Sequence, residues 1–298
     1  MTKPNLGLVC ITDSDEVRYR AITRKRLWAL SDKEQIEALR ALYVQNIERF
    51  NKALDFCHEH EIRLYRYTSK LFPFADTDLG NCILDEFSPE IARMGRRAAT
   101  LDIRLVVHPE QYVVLNSDSP DVVLNSINIL AMHGMIMDRL EQPQTSWAAI
   151  NIHGGKGNKP AELIAAIGNL PTNVRNRLTL ENDEHIYSAT EILDICRATG
   201  TPMLFDVHHH LCHAKLESYD APSVADIFWQ AQKTWPDREW QIVHVSNGRE
   251  GLQDRRHHDL IMQMPEVFCH APWIEVEAKG KEVAIDKLRR EWPPLQKV

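Results

Sequence analysis

Eight short apolar runs recur along the chain, and an amphipathic helical pattern lies in nearly every gap between them. The runs are Leu6–Cys10, Arg63–Thr68, Ile103–His108, Ala148–His153, Leu178–Glu181, Met203–Asp206, Gln241–Val245 and Trp273–Glu277. Each is apolar enough to be buried on both faces, as strands of a parallel sheet are. Helical patterns occupy Ser88–Thr100, Ser119–Leu140, Pro160–Leu170, Ala189–Ala198, Ser223–Thr234, Asp259–Phe268 and Val283–Arg290. A further helix is expected to open at Ser31, with Glu34 at capping-box spacing, and to run through Ile36, Leu39, Leu42, Tyr43, Ile47, Phe50 and Leu54. Unbroken strand–helix alternation implies right-handed parallel crossovers, and therefore a closed barrel or an open doubly wound sheet. No glycine-rich phosphate loop follows any strand, which favours the barrel. The 298 residues suit one such barrel plus extensions. The expectation is a single α/β domain over residues 1–298, a (β/α)8 TIM barrel.

Residue types that bind metals fall at one recurrent place, the end of a strand or just after it. They are His108 in RLVVHPEQY, His153 in AAINIHGG, Glu181 in RLTLENDE, Asp206 in MLFDVHHH, His244 in QIVHVSNG and Glu277 in WIEVEAKGKE. In a parallel barrel all of these strand ends open onto one rim. His209, three residues beyond Asp206, and His257, after the seventh strand, can reach the same rim. One such residue alone would read as an ordinary hydrogen-bonded side chain. Gathering five imidazoles and three carboxylates in one crevice without a cation would be costly, because unpaired buried charge is penalised. A metal centre at the C-terminal rim removes that cost. Nitrogen and oxygen donors without thiolate suit Zn²⁺ or Mn²⁺, and the set is large enough for more than one ion. Divalent ions a few ångströms apart suit phosphodiester hydrolysis, although sugar isomerisation also uses paired ions.

The rim loops bear on that choice. Arg18, Tyr19, Arg20, Arg24, Lys25 and Arg26 follow the first strand, Lys156 and Lys159 the fourth, Arg249, Arg255 and Arg256 the seventh, and Lys279 and Lys281 the eighth. The chain as a whole is acidic, 35 Lys and Arg against 42 Asp and Glu for a net charge of −7, so a uniformly basic coat is excluded. Cations gathered at one rim suit a polyanion. The six cysteines have no C-x-x-C spacing and are expected to be reduced, buried thiols. The N-terminal stretch has no signal-peptide pattern and no run approaches a membrane span, so a cytoplasmic protein is expected, nucleoid-associated if bacterial.

The segments RYRAITRKRL, YRYTSKLFPFA, HPEQY, NIHGGKGNK, LENDE, DVHHH, HVSNG, RRHHD and EVEAKGKE resemble, in order, the blocks of the UV damage endonucleases, barrel relatives of the apurinic-site endonucleases in the xylose-isomerase-like superfamily. The resemblance implies a DNA repair enzyme that nicks duplex DNA immediately 5′ to cyclobutane pyrimidine dimers and 6-4 photoproducts, leaving a 3′-hydroxyl and a 5′-phosphate. It implies His108, His153, Glu181, Asp206, His209, His244, His257 and Glu277 as metal ligands, two or three ions per chain, with Mn²⁺ as cofactor and Zn²⁺ or Mg²⁺ as alternatives. Glu181, Glu277 and Lys279 would carry the chemistry, Lys279 or Lys281 neutralising the scissile phosphate. Gln111 and Tyr112 would probe the helix at the lesion, where extrusion is cheapest because the stack is already weakened. Arg20, Arg24, Lys156 and Lys281 complete the expected DNA contacts. The partner is lesion-bearing double-stranded DNA, with no membrane and no obligate protein partner, and the chain is expected to be a monomer.

Three positions depart from the family's pattern. Ile242 stands where a lysine, modified in some members, often precedes the seventh-strand histidine. FADTDL, with Asp76, Thr77 and Asp78, replaces a segment that often ends in histidine, and Leu8 stands where an aromatic residue is expected. The alternatives within the superfamily are a metal-dependent sugar-phosphate isomerase or epimerase and an apurinic-site endonuclease; a different class altogether would be a non-catalytic, metal-stabilised module that binds damaged DNA.

Overall fold

Eight parallel strands close into a barrel in chain order, with β8 returning to β1. They are β1 (Asn5–Val9), β2 (Leu64–Tyr67), β3 (Arg104–Val107), β4 (Ile150–His153), β5 (Leu178–Glu181), β6 (Met203–Asp206), β7 (Ile242–Val245) and β8 (Trp273–Val276). The structure is a computed structural model that describes residues 3–109 and 112–296. β5 and β6 match the apolar runs, five strands are shorter than theirs, and β1 is shifted by one residue. Cys10 leaves β1 with φ 65°, so the extended conformation stops at Val9.

Alternation along each strand sorts the side chains. Tyr65 and Tyr67 face outward onto Phe50 of the helix Asp32–Glu59. Leu64 and Arg66 take the inward positions of the same strand. Leu64, Val106, Ala149, Leu204, Ile242 and Trp273 form an apolar cluster at the N-terminal floor of the barrel. Arg104 plugs that floor. Its Nε donates to the Trp147 carbonyl at 2.7 Å, Nη1 to that of Trp240 at 3.0 Å and Nη2 to that of Ser146 at 3.1 Å. Its guanidinium also lies 4.4 Å from the centre of the Trp147 ring, a cation–π contact. Ile242 therefore belongs to the apolar floor, one inward position below His244.

Most of the surrounding helices follow the sequence pattern. Ser31 and Glu34 make the expected capping box, with the Ser31 N–H donating to Glu34 Oε2 at 2.9 Å. Asp259–Phe268 is a correction: it holds no α-helix, only a 3₁₀ turn at Glu266–His270. Pro265 interrupts the pattern, and the Met262 and Gln263 N–H groups donate to Asn247 Oδ1 at 2.6 and 2.8 Å instead of to a helical ladder. Five helices were not anticipated, Arg24–Leu27, Asp78–Glu86, Thr172–Arg175, Val207–Ala214 and Pro293–Gln296. All six cysteines are free, but only Cys57 and Cys196 are buried and Cys82 is exposed, so the expectation of buried thiols holds for two. Among the described residues no helix is long and apolar enough to cross a membrane.

Candidate metal centre

The strand ends converge. Glu181 and Asp206 close β5 and β6, His153 closes β4, His244 is the third residue of β7, and His108 and Glu277 follow β3 and β8 directly. Their donor atoms form three overlapping groups, each within 4.8 Å: His108 with His153 and Glu181, Glu181 with Asp206 and His209, and Asp206 with His244 and Glu277. Glu181 links the first pair of groups and Asp206 the second. A cavity of about 460 Å³ opens above them, with Pro109, Ile152, Glu184 and Ile186 in its wall.

Local structure explains why these side chains sit where they do. Asp206 caps the helix Val207–Ala214, its Oδ1 accepting the His209 N–H at 2.7 Å, and this first turn turns His209 back over the rim. His257 rides on the loop after β7, which folds back through a bridge to Gly248. That turn needs glycine: a Cβ on Gly248 would stand 2.0 Å from the Gly251 carbonyl oxygen. His108, His209 and His257 each donate through Nδ1 to a backbone carbonyl, of Pro109 at 2.8 Å, Asn182 at 3.0 Å and Glu277 at 2.7 Å.

The electrostatics are those of crowded, desolvated charge. Burial would raise the Glu181 carboxyl, but His244 and His153 hold it well below the usual range. Burial would likewise raise Glu277, and Arg66 and His244 bring it down. For His209 burial opposes protonation, yet Asp206, Glu181 and Glu184 raise it to about 9. His244 is fully enclosed, with Nδ1 3.0 Å from Glu181 Oε1 and Nε2 2.6 Å from Glu275 Oε2, and the surrounding carboxylates outweigh burial and raise it well above the ordinary histidine value.

The residues fit a divalent metal. The donors are carboxylates and imidazoles without thiolate. Three buried atoms here have no hydrogen-bond partner, His153 Nδ1, Asp206 Oδ2 and Glu275 Oε1. Other buried atoms without a partner are scattered through the molecule, His133 Nδ1 and Ser146 Oγ among them, but these three share one centre with the donor groups, where they offer coordination capacity.

The expected residues do not all meet. Seven of the eight expected ligands enter a group; His257 lines the cavity but joins none. Asp76 and Asp78 also join none, and Thr77 caps the helix Asp78–Glu86 by accepting the Gly80 N–H at 3.1 Å. Leu8 is wholly buried in the core between barrel and helices. Among the rim cations, Lys156 and Lys159 both pair with Asp118, Arg256 with Glu250 and Asp254, and Arg18 with Asp15. The basic rim is thus partly neutralised by its own loops. Arg20, Arg24 and Lys279 are exposed, whereas Lys281 is half-buried and its ammonium lowered by that burial. Tyr112 is 63% exposed; Gln111 lies outside the described residues. Sequence reading missed Arg66, Glu184 and Glu275. Glu184 was within reach, since it ends the same LENDE block as Glu181 and stands 3.7 Å from His209 Nε2.

Comparison with known proteins places the chain among UV endonucleases. The model of the family described as UV-endonuclease UvdE matches residues 4–298. A UV DNA damage endonuclease of Nostoc sp. is 49% identical over 97% of this chain and 91% of its own length. One of Deinococcus radiodurans is 48% identical over 96% and 95%. The crystal structure of SacUVDE superposes with a TM-score of 0.80 at 26% identity, covering 96% of this chain and 98% of that one.

Proposed function

The chain belongs to the UV-endonuclease UvdE family, and from that premise we propose that it nicks duplex DNA immediately 5′ to cyclobutane pyrimidine dimers and 6-4 photoproducts by metal-assisted hydrolysis, leaving a 3′-hydroxyl and a 5′-phosphate. The observation that carries the reading is the set of three overlapping donor groups joined through Glu181 and Asp206. His108, His153, Glu181, Asp206, His209, His244 and Glu277 would hold two or three ions, with His257 at the cavity edge. Divalent ions bound there supply Lewis-acid charge and activated water for phosphodiester hydrolysis; Mn²⁺ is the first candidate, ahead of Zn²⁺ and Mg²⁺.

The other residues bind and orient. Lys279, exposed directly beyond Glu277 and Ala278, would neutralise the scissile phosphate, with Lys281 behind it. Tyr112, exposed at the rim, and Gln111 would enter the helix where photodamage has weakened stacking. Arg20, Arg24 and Lys156 would follow the backbone on either side. The whole chain acts as one endonuclease domain and as a monomer on one face of bent duplex.

The test is incision of an end-labelled duplex carrying one cyclobutane dimer, after chelation and with Mn²⁺ restored, beside undamaged and abasic duplexes. The expected result is a metal-dependent nick next to the dimer on its 5′ side. Cleavage of the abasic duplex alone would overturn the lesion assignment and leave the nuclease; no cleavage of any duplex would overturn the activity.

A further inference from the structure

Glu275 is the least expected group in the barrel. It lies inward on β8, between the apolar Trp273 of the floor and the expected ligand Glu277, and is 1% exposed. A buried carboxylate needs a reason, because removing it from water costs several kcal/mol unless its partners are well placed. Its Oε2 accepts from Arg66 Nη1 at 2.9 Å and lies 2.6 Å from His244 Nε2. Arg66 accounts for it only in part, since that guanidinium is shared with Glu277 at 2.5 Å.

The clearer account comes from comparing the imidazoles. His108, His209 and His257 donate through Nδ1 to backbone carbonyls. His244 is reversed: Nε2 points down to Glu275, and Nδ1 points up to Glu181 Oε1 at 3.0 Å, Glu277 Oε1 at 3.3 Å and Asp206 Oδ2 at 4.0 Å. The nitrogen aimed at the donor cluster is thus Nδ1, while Nε2 faces Glu275 at 2.6 Å, with Arg66 Nη1 farther off at 3.4 Å. Histidines that bind metals commonly donate their second N–H to such a partner, which fixes tautomer and ring orientation and makes the ligand more basic.

We propose that Glu275 is a positioning residue of the metal centre: its carboxylate holds His244 in the Nε2–H form, leaving Nδ1 to ligate beside Asp206 and Glu277. The inference rests on the metal-centre reading above. Arg66 in turn fixes Glu275 and ties it to Glu277, so three residues from β2, β7 and β8 set the height of one ligand.

Two measurements test this without reading enzyme activity. In the Zn²⁺-loaded protein, long-range proton–nitrogen correlation of the histidine rings, assigned with a His244→Gln variant, is expected to show His244 protonated at Nε2 and metallated at Nδ1. The opposite tautomer overturns the proposal. Second, Mn²⁺ binding followed by the electron-resonance signal of the free ion should weaken in Glu275→Met by about 10- to 100-fold for one ion, while a second ion at His108, His153 and Glu181 is retained. Glu275→Gln, which keeps an acceptor oxygen, should lose less. Should Glu275→Met fail to fold with Arg66 unpaired, Arg66→Met/Glu275→Met is compared with Arg66→Met, and the difference in affinity belongs to Glu275. Unchanged affinity in either comparison overturns the proposal. A parent protein that binds neither Mn²⁺ nor Zn²⁺ overturns the metal-centre reading and this inference with it, an outcome distinct from a parent that binds metal with His244 in the other tautomer.

Discussion

Arg104 at the floor of the barrel and Arg66 below its rim are both buried charges, 2% and 8% exposed, in opposite surroundings. Arg104 has three carbonyl acceptors and tryptophan faces, with no carboxylate bonded to it, and burial lowers it to about 9. For Arg66 burial has the same sense, but Glu277 and Glu275 overcome it and raise the guanidinium. The Arg104 guanidinium is matched: each of its three nitrogens has a carbonyl acceptor, and tryptophan rings flank it. At the rim Glu181, Asp206, Glu275 and Glu277 crowd together, and two of these carboxylates keep an oxygen without a hydrogen-bond partner. A saturated polar site is architecture, whereas an unsaturated one in the same barrel is prepared for a ligand.

The largest effect expected from that difference is at the rim. Glu277→Gln keeps the shape but removes a charge that the centre needs, so incision should fall by about 1000-fold, equivalent to ~4 kcal/mol in the barrier, with the fold intact by circular dichroism. Full activity would remove Glu277 from the centre. The floor should behave in the opposite way. Arg104→Met strands three carbonyls and empties the space between the tryptophans, and should cost ~3 kcal/mol of stability in denaturant unfolding while incision at low temperature stays near the parent rate. If incision collapsed while stability held, floor and rim would not be separable as argued.

The same division governs how much the sequence alone disclosed. Eight strands and their polar ends were readable because buried parallel strands are continuous apolar runs and the ligands interrupt them at a fixed place. The Ser31–Glu34 cap was readable because it is local. Asp259–Phe268 was misread because its apolar spacing is helical and Pro265 within it was passed over; Asn247 then takes the Met262 and Gln263 N–H groups. Arg66 and Glu275 hid inside strands taken as apolar. Counting back two residues from Glu277 puts Glu275 on the same inward face, a signal within reach. That Arg66 is its partner depends on the closure of β8 through β1 to β2, which no local pattern carries. The capping role of Thr77 went unread because the helix Asp78–Glu86 that it starts was not anticipated.

Protonation sharpens the contrast between metal-free and loaded rims. His209 is raised to about 9 in the folded chain against about 6.5 when unfolded. In the metal-free protein its contribution to stability is therefore fully present below about pH 6.5 and is lost as pH rises through about 9. Metal requires the neutral ring, so binding strengthens as the same proton leaves. Thermal melts in chelator should fall by a few degrees across this window, and the extra stability conferred by added Mn²⁺ should grow over it. Parallel pH profiles with and without Mn²⁺ would show that His209 is not at the metal.

The smallest effect concerns a cation that neither end of the barrel locks in place. Lys279 is exposed, and its backbone N–H, donating to the His258 carbonyl at 3.1 Å, fixes the chain without fixing the ammonium. Unlike Arg104 it supports no packing, and unlike Arg66 it has no part in the buried carboxylate cluster. Lys279→Ala should therefore leave the melting temperature and Mn²⁺ affinity unchanged. Its single-turnover incision rate on a dimer-containing duplex should fall about 10-fold, equivalent to ~1.4 kcal/mol of lost charge stabilisation at the phosphate. An unchanged rate would pass the role to Lys281, whose half-buried ammonium interacts electrostatically with Glu277, and the same measurement on Lys281→Ala would then carry the larger loss.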